Sequence, residues 1–326
     1  MQPKTFASYE ETVKRYIVRE GIGIGALRVR DVEREDIEAL LQQAVTKSTK
    51  GHLSKDTLRI IRATCSLVFK DAIKHKLIDT NPCADLDVKL GTLSQADRQR
   101  SIRPMTYEQL ARFLRAAKQH SLRRDYTVFL TLADTGMRPS EALALQWEDV
   151  DIAGRALRIE RAVTLGGQIK RTKTGAERTV RLTVPLAEGL AAWRRHHERV
   201  TTKAKTPPSE YVFPSRTGQP LDAKTISRRF RALLRRAELP KFRLYDLRHT
   251  LASQLLDQGV PFTVVAKQLG HQKPTTTLQF YSHWLPQDDT PYLDRLTAAR
   301  QAVGDLNGDF VQTRQGRKTR NAGKSW

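Results

Sequence analysis

Residues 224–243 carry cations at spacings that suit binding to phosphate groups. The basic residues of this segment are Lys224, Arg228, Arg229, Arg231, Arg235, Arg236, Lys241 and Arg243, against one acid, Glu238. In a helix, Phe230, Leu233 and Leu234 would form an apolar face and leave the cations on the other side. Like charges at helical neighbours repel each other without a partner, so the pattern favours a phosphate-binding surface over a merely solvated face. The predicted phosphate ligands are Lys224, Arg228, Arg229, Arg231 and Arg243.

The chain as a whole has the same excess of positive charge. Its 326 residues include 57 Lys and Arg but 35 Asp and Glu, which gives a formal net charge of +22. Such an excess destabilises a compact protein by self-repulsion and so indicates a polyanionic partner. Nucleic acid is favoured over an anionic membrane, because the sequence has neither a strongly amphipathic basic terminal helix nor a lipidation motif.

Several other classes of protein are disfavoured by motifs that the sequence lacks. Its two cysteines cannot form a disulfide framework, and neither a CxxC pair nor an HExxH helix is present, so no metal or other cofactor is expected. A GxxxxGK[ST] loop, the usual reason to expect ATP, is also missing. The sequence contains neither an apolar stretch of membrane-spanning length nor an apolar run at its start. We therefore expect a cytoplasmic protein associated with the nucleoid.

Three further segments contain arginine, histidine and tyrosine in a fixed order. They read TGMRPSEAL at 135–143, LYDLRHTLAS at 244–253 and QLGHQKPTTTLQFYSHW at 268–284. Together, in this order and at this separation, they resemble the catalytic boxes of the tyrosine recombinases, the phage integrase family. The helical pattern before residue 90 is also similar to the core-binding domain of that family, so the resemblance covers nearly the whole chain. It implies an enzyme that cleaves and rejoins DNA strands.

The resemblance implies that Arg138 and Arg248 are catalytic arginines. A phosphoryl transition state spreads negative charge over its non-bridging oxygens, and a guanidinium fork matches two such oxygens while keeping its charge. Taken alone, either residue would more often be a surface or ion-pairing arginine. Glu141, three residues after Arg138, could orient that arginine or form an ordinary helix ion pair.

Lys173 lies in a KTG turn, where the family has the lysine that protonates the departing 5′ oxygen. A desolvated lysine beside arginines has a lowered pKa, which makes proton donation feasible. Lys170 and Arg171 are nearby rivals for this role. An exposed hairpin lysine is the alternative interpretation of Lys173.

Tyr245 departs from the family pattern, which usually has a histidine three residues before the second arginine. A phenol donates a hydrogen bond to a phosphate oxygen, but it cannot share a proton at neutral pH as imidazole does. Proton assistance to the nucleophile could therefore fall to another residue. His249, directly after Arg248, is interpreted as a core or capping histidine.

The third box supplies the remaining candidates for catalysis. His271 matches the family histidine that hydrogen bonds the scissile phosphate, although a histidine after a glycine is more often a helix cap. Tyr281 is the expected nucleophile, ten residues after His271 and one further than the commonest family spacing, where Phe280 has no hydroxyl. A tyrosine hydroxyl with its ordinary pKa of about 10 needs cations to help it attack a phosphodiester. The alternative is that Tyr281 is an aromatic residue packed in the core.

Helical periodicity dominates the first ninety residues. Three apolar stripes each predict a helix; they are Phe6, Tyr9, Val13 and Tyr16; Ile37, Leu40, Leu41, Ala44 and Val45; and Leu58, Ile61, Cys65, Val68 and Ala72. Residues 1–90 are therefore expected to be helical, and the family resemblance implies that they form a SAM-like core-binding domain that contacts DNA. Residues 91–104 are expected to be an exposed linker, 105–303 a catalytic domain and 304–326 a basic, disordered tail.

The elements that must position the three boxes are mostly helices. Thr106 and Gln109 form a capping box at the start of the second unit. Alternation at 157–163 and at 180–184 predicts two strands of an antiparallel sheet, and Gly166 and Gly167 are expected to turn the first hairpin. Leu247, Leu251 and Leu255 then predict a helix that ends near Gly259. The expected fold class is mainly α with a small antiparallel β-sheet.

The sequence thus predicts a site-specific DNA recombinase that integrates or excises a mobile element through a 3′-phosphotyrosyl intermediate, with no need for ATP or metal. The family resemblance implies a clamp around double-stranded DNA and a homotetramer on that DNA. Accessory DNA-bending or directionality proteins are further candidate partners. Two alternatives remain, a DNA-binding protein that has lost catalysis and a topoisomerase with the same chemistry. Tyr245 and the shifted position of Tyr281 motivate the first of these.

Overall fold

The computed structural model describes residues 3–19, 21, 23–46, 53, 55–84, 86, 102–164, 167–171, 177–284 and 290–303. Helices predominate and the strands are short, so the predicted fold class, mainly α with a small antiparallel sheet, is confirmed. None of the helices in these ranges is long and apolar enough to cross a membrane. The predicted tail at 304–326 and residues 91–101 of the predicted linker lie outside the described residues.

The amino-terminal helices pack around a core of their own. They are α1 (Pro3–Thr12), a π-helical turn (Val13–Ile17), a 3-10 turn (Val29–Asp31), α2 (Arg34–Thr46) and α3 (Lys55–Lys74). Ile37, Leu40 and Ile61 are among the buried residues of this core, so the three helices predicted here are confirmed. Within α3, Val68 is 45% exposed, whereas Phe69, outside the predicted stripe, is 3% exposed. Both lie near the inner face, and the aromatic ring removes more apolar surface from water.

A second set of helices follows along the chain, and the first six of them contribute buried residues to a larger core. They are α4 (Tyr107–His120), α5 (Arg123–Thr135), α6 (Pro139–Leu143), α7 (Val184–Lys203), α8 (Ala223–Arg236), α9 (Asp246–Asp257), α10 (Phe262–Leu269), α11 (Pro274–Tyr281) and α12 (Thr290–Val303). Helix α5 is buried along most of its length and contacts α4, α7 and α9. The predicted capping box is present, because Gln109 N–H donates to Thr106 Oγ1 at 3.1 Å and Thr106 N–H donates to Gln109 Oε1 at 3.0 Å.

The strands form two small antiparallel sheets. One sheet has the order β1 (Val150–Asp151), β2 (Ala156–Ile159) and β5 (Arg178–Arg181); the other pairs β3 (Arg161–Val163) with β4 (Ile169–Arg171). The prediction of one strand through 157–163 is wrong, since β2 pairs with β5 while β3 pairs with β4. The prediction that the strand at 180 extends to Val184 is also wrong. Thr183 caps α7 by accepting a hydrogen bond from Leu186 N–H, so Val184 is already helical.

A third apolar cluster lies between α9, α10 and α11. Its buried members are Ile102, Ala252, Leu256, Val265, Leu269 and Tyr281. Ile102 is 6% exposed, so this end of the segment that was expected to be an exposed linker is packed against the helices. The domain limits at residues 90 and 104 stay predictions.

Gly136 allows three helices to meet at one point. It ends α5 with a left-handed φ of +64°, and its N–H donates to Leu132 O at 3.1 Å. A Cβ atom on this glycine would lie 2.8 Å from Leu269 Cδ2 and 2.9 Å from Leu251 Cδ2. The missing side chain therefore lets the end of α5 approach α9 and α10 closely.

Replacing Gly136 with alanine should destabilise the protein more than the same change at Gly218. Gly218 has a similar φ of +79° but no atom within 4 Å of the added Cβ, so Gly218→Ala tests backbone strain alone. That strain costs about 1–2 kcal/mol. Gly136→Ala should cost about 1–3 kcal/mol more, because the methyl group overpacks the helix junction. Urea unfolding of both variants measures the difference, and equal losses would show that the two leucines move aside freely.

Candidate active site

A buried carboxylate, Glu141, holds two arginines together. The backbone N–H of Arg138 donates to Glu141 Oε2 at 2.8 Å, and its Nη1 donates to Oε1 at 2.8 Å. From β5, Arg178 donates through Nη2 to Oε2 at 2.6 Å and through Nη1 to Oε1 at 3.2 Å. Burial raises the pKa of Glu141, but hydrogen bonds and charge from Arg178 and Arg138 outweigh burial and leave the pKa below its usual value. Glu141 is therefore an ionised group that fixes the direction of Arg138.

Arg178 is a residue of this site that the sequence reasoning missed. Besides binding Glu141, its Nε donates to Gln268 O at 3.3 Å, three residues before His271. A Cβ on Gly270 would lie 2.7 Å from Arg178 Nη1, so the guanidinium lies directly against the end of α10. One feature of the sequence could have indicated it: Arg178 lies two residues before Val180, and residues two apart in a strand share a face. Arg178 is therefore on the same face of β5 as that buried valine.

Arg248 is almost wholly buried, with 1% of its surface exposed. Its Nη1 donates to Gly136 O at 2.7 Å, whereas its buried Nη2 has no hydrogen-bond partner among the described residues. Burial lowers the pKa of Arg248 to about 10, Arg138 and Arg178 act in the same direction, and Tyr245 and Glu141 oppose them. The guanidinium is still charged at neutral pH. A buried donor without a partner costs free energy, so Nη2 is available to an incoming acceptor.

Positive charge exceeds negative charge within this cluster. Arg138 and Arg178 lie close enough to affect the pKa of Arg248, and Glu141 is the carboxylate that they share. Three guanidinium groups around one carboxylate leave two positive charges uncompensated. An anion with several oxygen acceptors, such as a phosphodiester, fits this charge and geometry.

His271 lies in the same electrostatic environment. Its Nδ1 is 2.8 Å from Thr277 Oγ1, so its side chain joins the loop after α10 to α11. Burial lowers the pKa of His271 to about 3, and the charges of Arg248, Arg138 and Arg178 contribute to the decrease. The imidazole is therefore neutral at physiological pH. Its side chain contacts α11, whereas the backbone N–H of His271 bonds Ala266 O at the end of α10.

Tyr281 is the last residue of α11 and is 2% exposed. Its ring packs in the third apolar cluster and near Trp284. This packing agrees with the alternative interpretation, in which Tyr281 is an aromatic residue of the core. Its hydroxyl has a polar partner, however, because His249 Nδ1 lies 2.5 Å from it. Burial raises the pKa of Tyr281 well above its usual value, and the nearby charge of Arg248 offsets only part of this increase. In this conformation the hydroxyl is un-ionised and covered.

His249 was interpreted as a core or capping histidine, and that interpretation missed its contact with Tyr281. Burial lowers the pKa of His249 to about 4, Arg243 and Arg248 lower it further, and Asp246 opposes them. Tyr245 packs its ring edge-on against His249, with ring centroids 5.2 Å apart and an interplanar angle of 68°. The ring of Tyr245 also lies 6.0 Å from Arg248 Cζ. A neutral imidazole is thus held between two tyrosines beside the buried arginine.

Five of the six predicted catalytic residues meet in one site. Contacts and mutual charge effects connect Arg138, Tyr245, Arg248, His271 and Tyr281. The sixth, Lys173, lies outside the described residues, in the segment 172–176 that precedes Glu177 and β5.

Helix α8 has the predicted amphipathic form. Ile226, Phe230, Leu233 and Leu234 are buried, while Lys224, Arg228 and Arg231 are exposed. Arg229 differs from them, because its Nη1 lies 2.8 and 2.6 Å from the two carboxylate oxygens of the buried Asp125. Arg243 pairs with Asp246 at 2.8 Å but keeps 63% of its side chain exposed. Arg229 therefore compensates a buried charge, whereas the others face solvent.

Comparison with known proteins places this fold in a family. A sequence profile described as the phage integrase family matches residues 103–288, more than half of the chain. The chain belongs to the phage integrase family. It is 25% identical over 322 residues to a XerC-like tyrosine recombinase of Caldanaerobacter subterraneus subsp. tengcongensis, covering 90% of the chain and 78% of that protein. It is 26% identical over 274 residues to the ICEBs1 integrase of Bacillus subtilis strain 168, covering 81% and 72%.

Solved structures show the same fold at lower sequence identity. The Tn1549 transposon integrase in complex with transposon right end DNA superposes on this chain with a TM-score of 0.70 and 20% identity, covering 91% of this chain and 95% of that one. A lambda integrase (75–356) dimer bound to a COC′ core site gives a TM-score of 0.63 and 20% identity, covering 85% and 90%. At this identity the likeness concerns the fold.

Arg178→Ala should destabilise the protein strongly, because it removes one of the two arginine partners of the buried Glu141 carboxylate. Breaking a buried ion pair from one side costs about 3–5 kcal/mol. Arg171→Ala is the matched control, since Arg171 is 80% exposed and 3.9 Å from Glu177; it should change the free energy of unfolding by less than about 0.5 kcal/mol. Urea unfolding at pH 7 measures both. Equal free energies for the two variants would contradict the role assigned to Arg178.

Proposed function

We propose that this chain is a site-specific DNA recombinase that breaks and rejoins DNA through a covalent bond between Tyr281 and a 3′ phosphate. One observation carries the proposal. A buried cluster with two uncompensated guanidinium charges, including the unpartnered Nη2 of Arg248, lies beside a tyrosine hydroxyl that is hydrogen bonded to a neutral histidine. Such a cluster suits the binding of a phosphodiester and the stabilisation of the charge that develops during its cleavage.

Each arginine has a proposed part in binding the phosphodiester. The Arg138 side chain is 36% exposed and fixed by Glu141, so it can receive one non-bridging oxygen from the solvent side. Arg248 offers Nη2 from the buried side to a second oxygen. Arg178 donates hydrogen bonds to Glu141 and to the backbone carbonyl of Gln268. It therefore fixes the positions of Arg138 and His271 and is not itself proposed to contact the phosphate. These charges are fixed before the reaction and need no reorganisation in the transition state.

In the cleavage step, the oxygen of Tyr281 attacks phosphorus and the bond from phosphorus to the 5′ oxygen breaks. The products are a 3′-phosphotyrosyl link and a 5′ hydroxyl, with Lys173 as the proposed donor of the proton to the leaving oxygen. The new ester conserves the energy of the broken bond. Attack by a 5′ hydroxyl on this link then rejoins a strand without ATP.

The burial of Tyr281 requires a change of position before attack. With 2% of its surface exposed, the residue cannot meet a phosphate on the protein surface. We propose that DNA binding shifts α11 while the Tyr281 hydroxyl stays within hydrogen-bonding reach of His249, so that the hydroxyl becomes accessible only when substrate is present. The raised pKa of Tyr281 keeps the hydroxyl unreactive until then.

Double-stranded DNA is the proposed partner, and the exposed cations of α8 are its proposed contacts. The solved lambda and Tn1549 integrases hold DNA, and one lambda integrase structure is a tetramer bound to a Holliday junction. By analogy we propose four copies of this chain on DNA, with residues 1–90 and the 105–303 unit gripping the duplex together. The names of the relatives, among them ICEBs1 integrase, favour a role in a mobile element. Accessory DNA-bending or directionality proteins and a nucleoid location are parts of the same proposal.

A DNA-binding protein without cleavage activity is the second candidate. The complete burial of Tyr281 and the tyrosine at position 245 favour it. Both candidates bind duplex DNA through the same cations, so only a covalent bond to DNA distinguishes them.

Trapping that covalent bond tests the proposed function. Duplexes that the full chain binds are selected from a randomised library and nicked near the bound sequence, so that the short 5′ hydroxyl strand is lost after cleavage. An SDS-resistant protein–DNA complex should form, and mass spectrometry should locate the nucleotide on Tyr281. Tyr281→Phe should remove the complex, because a phenyl ring has no nucleophilic oxygen. Tyr292→Phe, further along the chain, is the matched control and should leave the complex in place. Binding without any such complex would support the second candidate.

The role of α8 in DNA binding can be tested through salt dependence. The triple variant Lys224→Ala, Arg228→Ala, Arg231→Ala should reduce the slope of log affinity against log salt concentration by about 3, roughly one unit for each phosphate that a cation no longer neutralises. Arg195→Ala, Arg199→Ala, Lys203→Ala is the matched control, since it removes the same charge from the exposed side of α7. Its slope should stay near that of the unmodified chain. A larger effect of the α7 variant would place the DNA on that helix instead.

A further inference from the structure

We infer that His249 is the base that takes the proton from the Tyr281 hydroxyl during strand cleavage. This inference rests on the proposed function, in which Tyr281 is the nucleophile, and it assigns the proton transfer within that reaction. The contact between His249 Nδ1 and the Tyr281 oxygen, 2.5 Å long, carries it. A proton can pass directly between two atoms at this distance.

The direction of the hydrogen bond follows from what each group can donate and accept. The described residues give the Tyr281 hydroxyl no acceptor other than His249, so the phenol O–H donates and Nδ1 accepts. The ring proton of the neutral imidazole is then on Nε2. His249 follows Arg248 in α9, so a phosphate bound by Arg248 lies next to the same turn of helix. Nucleophile, base and phosphate can therefore meet without a change in α9.

The surroundings of His249 keep it able to accept a proton. Its pKa is lowered to about 4, so at pH 7 the imidazole is neutral. The titratable and charged groups around it are Arg243, Tyr245, Asp246 and Arg248 near its own helix, with His271 and Tyr281 from the segments packed against it. A bound phosphate adds negative charge at this point and raises the pKa of the imidazole from this low value, which makes Nδ1 a better proton acceptor.

Other side chains near Tyr281 are less suited to this step. Guanidinium groups are always protonated and cannot accept a proton. The Asp246 carboxylate accepts hydrogen bonds from the Arg243 backbone and side chain, and His271 Nδ1 is bonded to Thr277. Tyr245, which stands where the family has a histidine, packs its ring against the imidazole of His249, four positions further along the chain.

The proposed transfer balances in both directions. In cleavage the O–H bond of Tyr281 breaks and an N–H bond forms at Nδ1, which converts His249 to an imidazolium ion. The phenolic oxygen bonds to phosphorus while the 5′ oxygen leaves and takes a proton from Lys173. In rejoining, the imidazolium returns its proton to the Tyr281 oxygen as that oxygen leaves phosphorus, and Lys173 recovers a proton from the attacking 5′ hydroxyl.

Single-turnover cleavage by His249→Asn in the full chain tests the inference. Asparagine keeps a hydrogen-bonding group near the position of Nδ1 but cannot take up a proton at neutral pH. Cleavage of the nicked duplexes described above should slow by about 10²- to 10⁴-fold at pH 7, the usual contribution of a general base. Binding to the uncleaved duplex and the urea midpoint should stay unchanged. His249→Ala, which also removes the hydrogen bond, should be at least as slow.

The pH dependence separates a base from a residue that only positions Tyr281. Without a base only the phenolate reacts, so the rate of His249→Asn should rise about tenfold per pH unit between pH 6 and 9. The unmodified protein should vary less than about threefold over this range, because its imidazole is already neutral. A more acidic fluorinated tyrosine at position 281 should speed up His249→Asn by about tenfold or more and the unmodified protein much less.

Specific results would overturn the inference. An unchanged or faster rate in His249→Asn would show that His249 only packs against Tyr281 or restrains it. A slower rate with the unmodified pH dependence would make His249 a positioning residue. Both results require the unmodified chain to form its adduct on Tyr281, and they leave the proposed function intact. If the unmodified chain forms no adduct there, the proposed function fails and the inference falls with it.

Discussion

The burial of guanidinium groups around a single carboxylate is the constraint on which the site depends. Removing a charge from water is costly unless a partner compensates it. Glu141 compensates part of the charge of Arg138 and Arg178, while Arg248 has only a carbonyl oxygen and leaves Nη2 without a partner among the described residues. In the free protein the cluster therefore carries uncompensated positive charge, which a bound phosphodiester would compensate. The same guanidinium groups would both bind the substrate and stabilise the negative charge that develops in the transition state.

The backbone makes this burial possible by bringing helix ends together. Gly136 ends α5 and offers its carbonyl to Arg248, and Gly270 ends α10 where the guanidinium of Arg178 lies against it. Both glycines have a left-handed φ, which other residues adopt at a cost. A side chain at either position would separate the elements that supply the arginines. The first and third sequence boxes each contain one of these glycines, so part of their pattern serves packing.

The same apolar surroundings control the protons of the site. Burial keeps His249 and His271 neutral, and it raises the pKa of Tyr281 so that the phenol stays protonated. In the proposed reaction, such a phenol is inert until a base and a phosphate are both in place. The His249–Tyr281 hydrogen bond would supply the base, and the arginine cluster would bind the phosphate. The proposal thereby couples substrate binding to the activation of Tyr281.

Features that depend on neighbouring residues could be predicted from the sequence alone. Helical periodicity indicated the helices and the apolar face of α8, and the Thr106 capping box was predicted because all its parts lie within four residues. The three boxes likewise pointed to Arg138, Arg248, His271 and Tyr281 as one site. Which charges meet, in contrast, depends on the tertiary structure. Arg229 and Asp125 pair across 104 positions, and His249 contacts Tyr281 across 32. Arg178 likewise lies beside Glu141 through a contact between separate segments of the chain. The pairing of β2 with β5, which divides the strands between two sheets, is another such contact. Local residue spacing does not encode contacts of this kind.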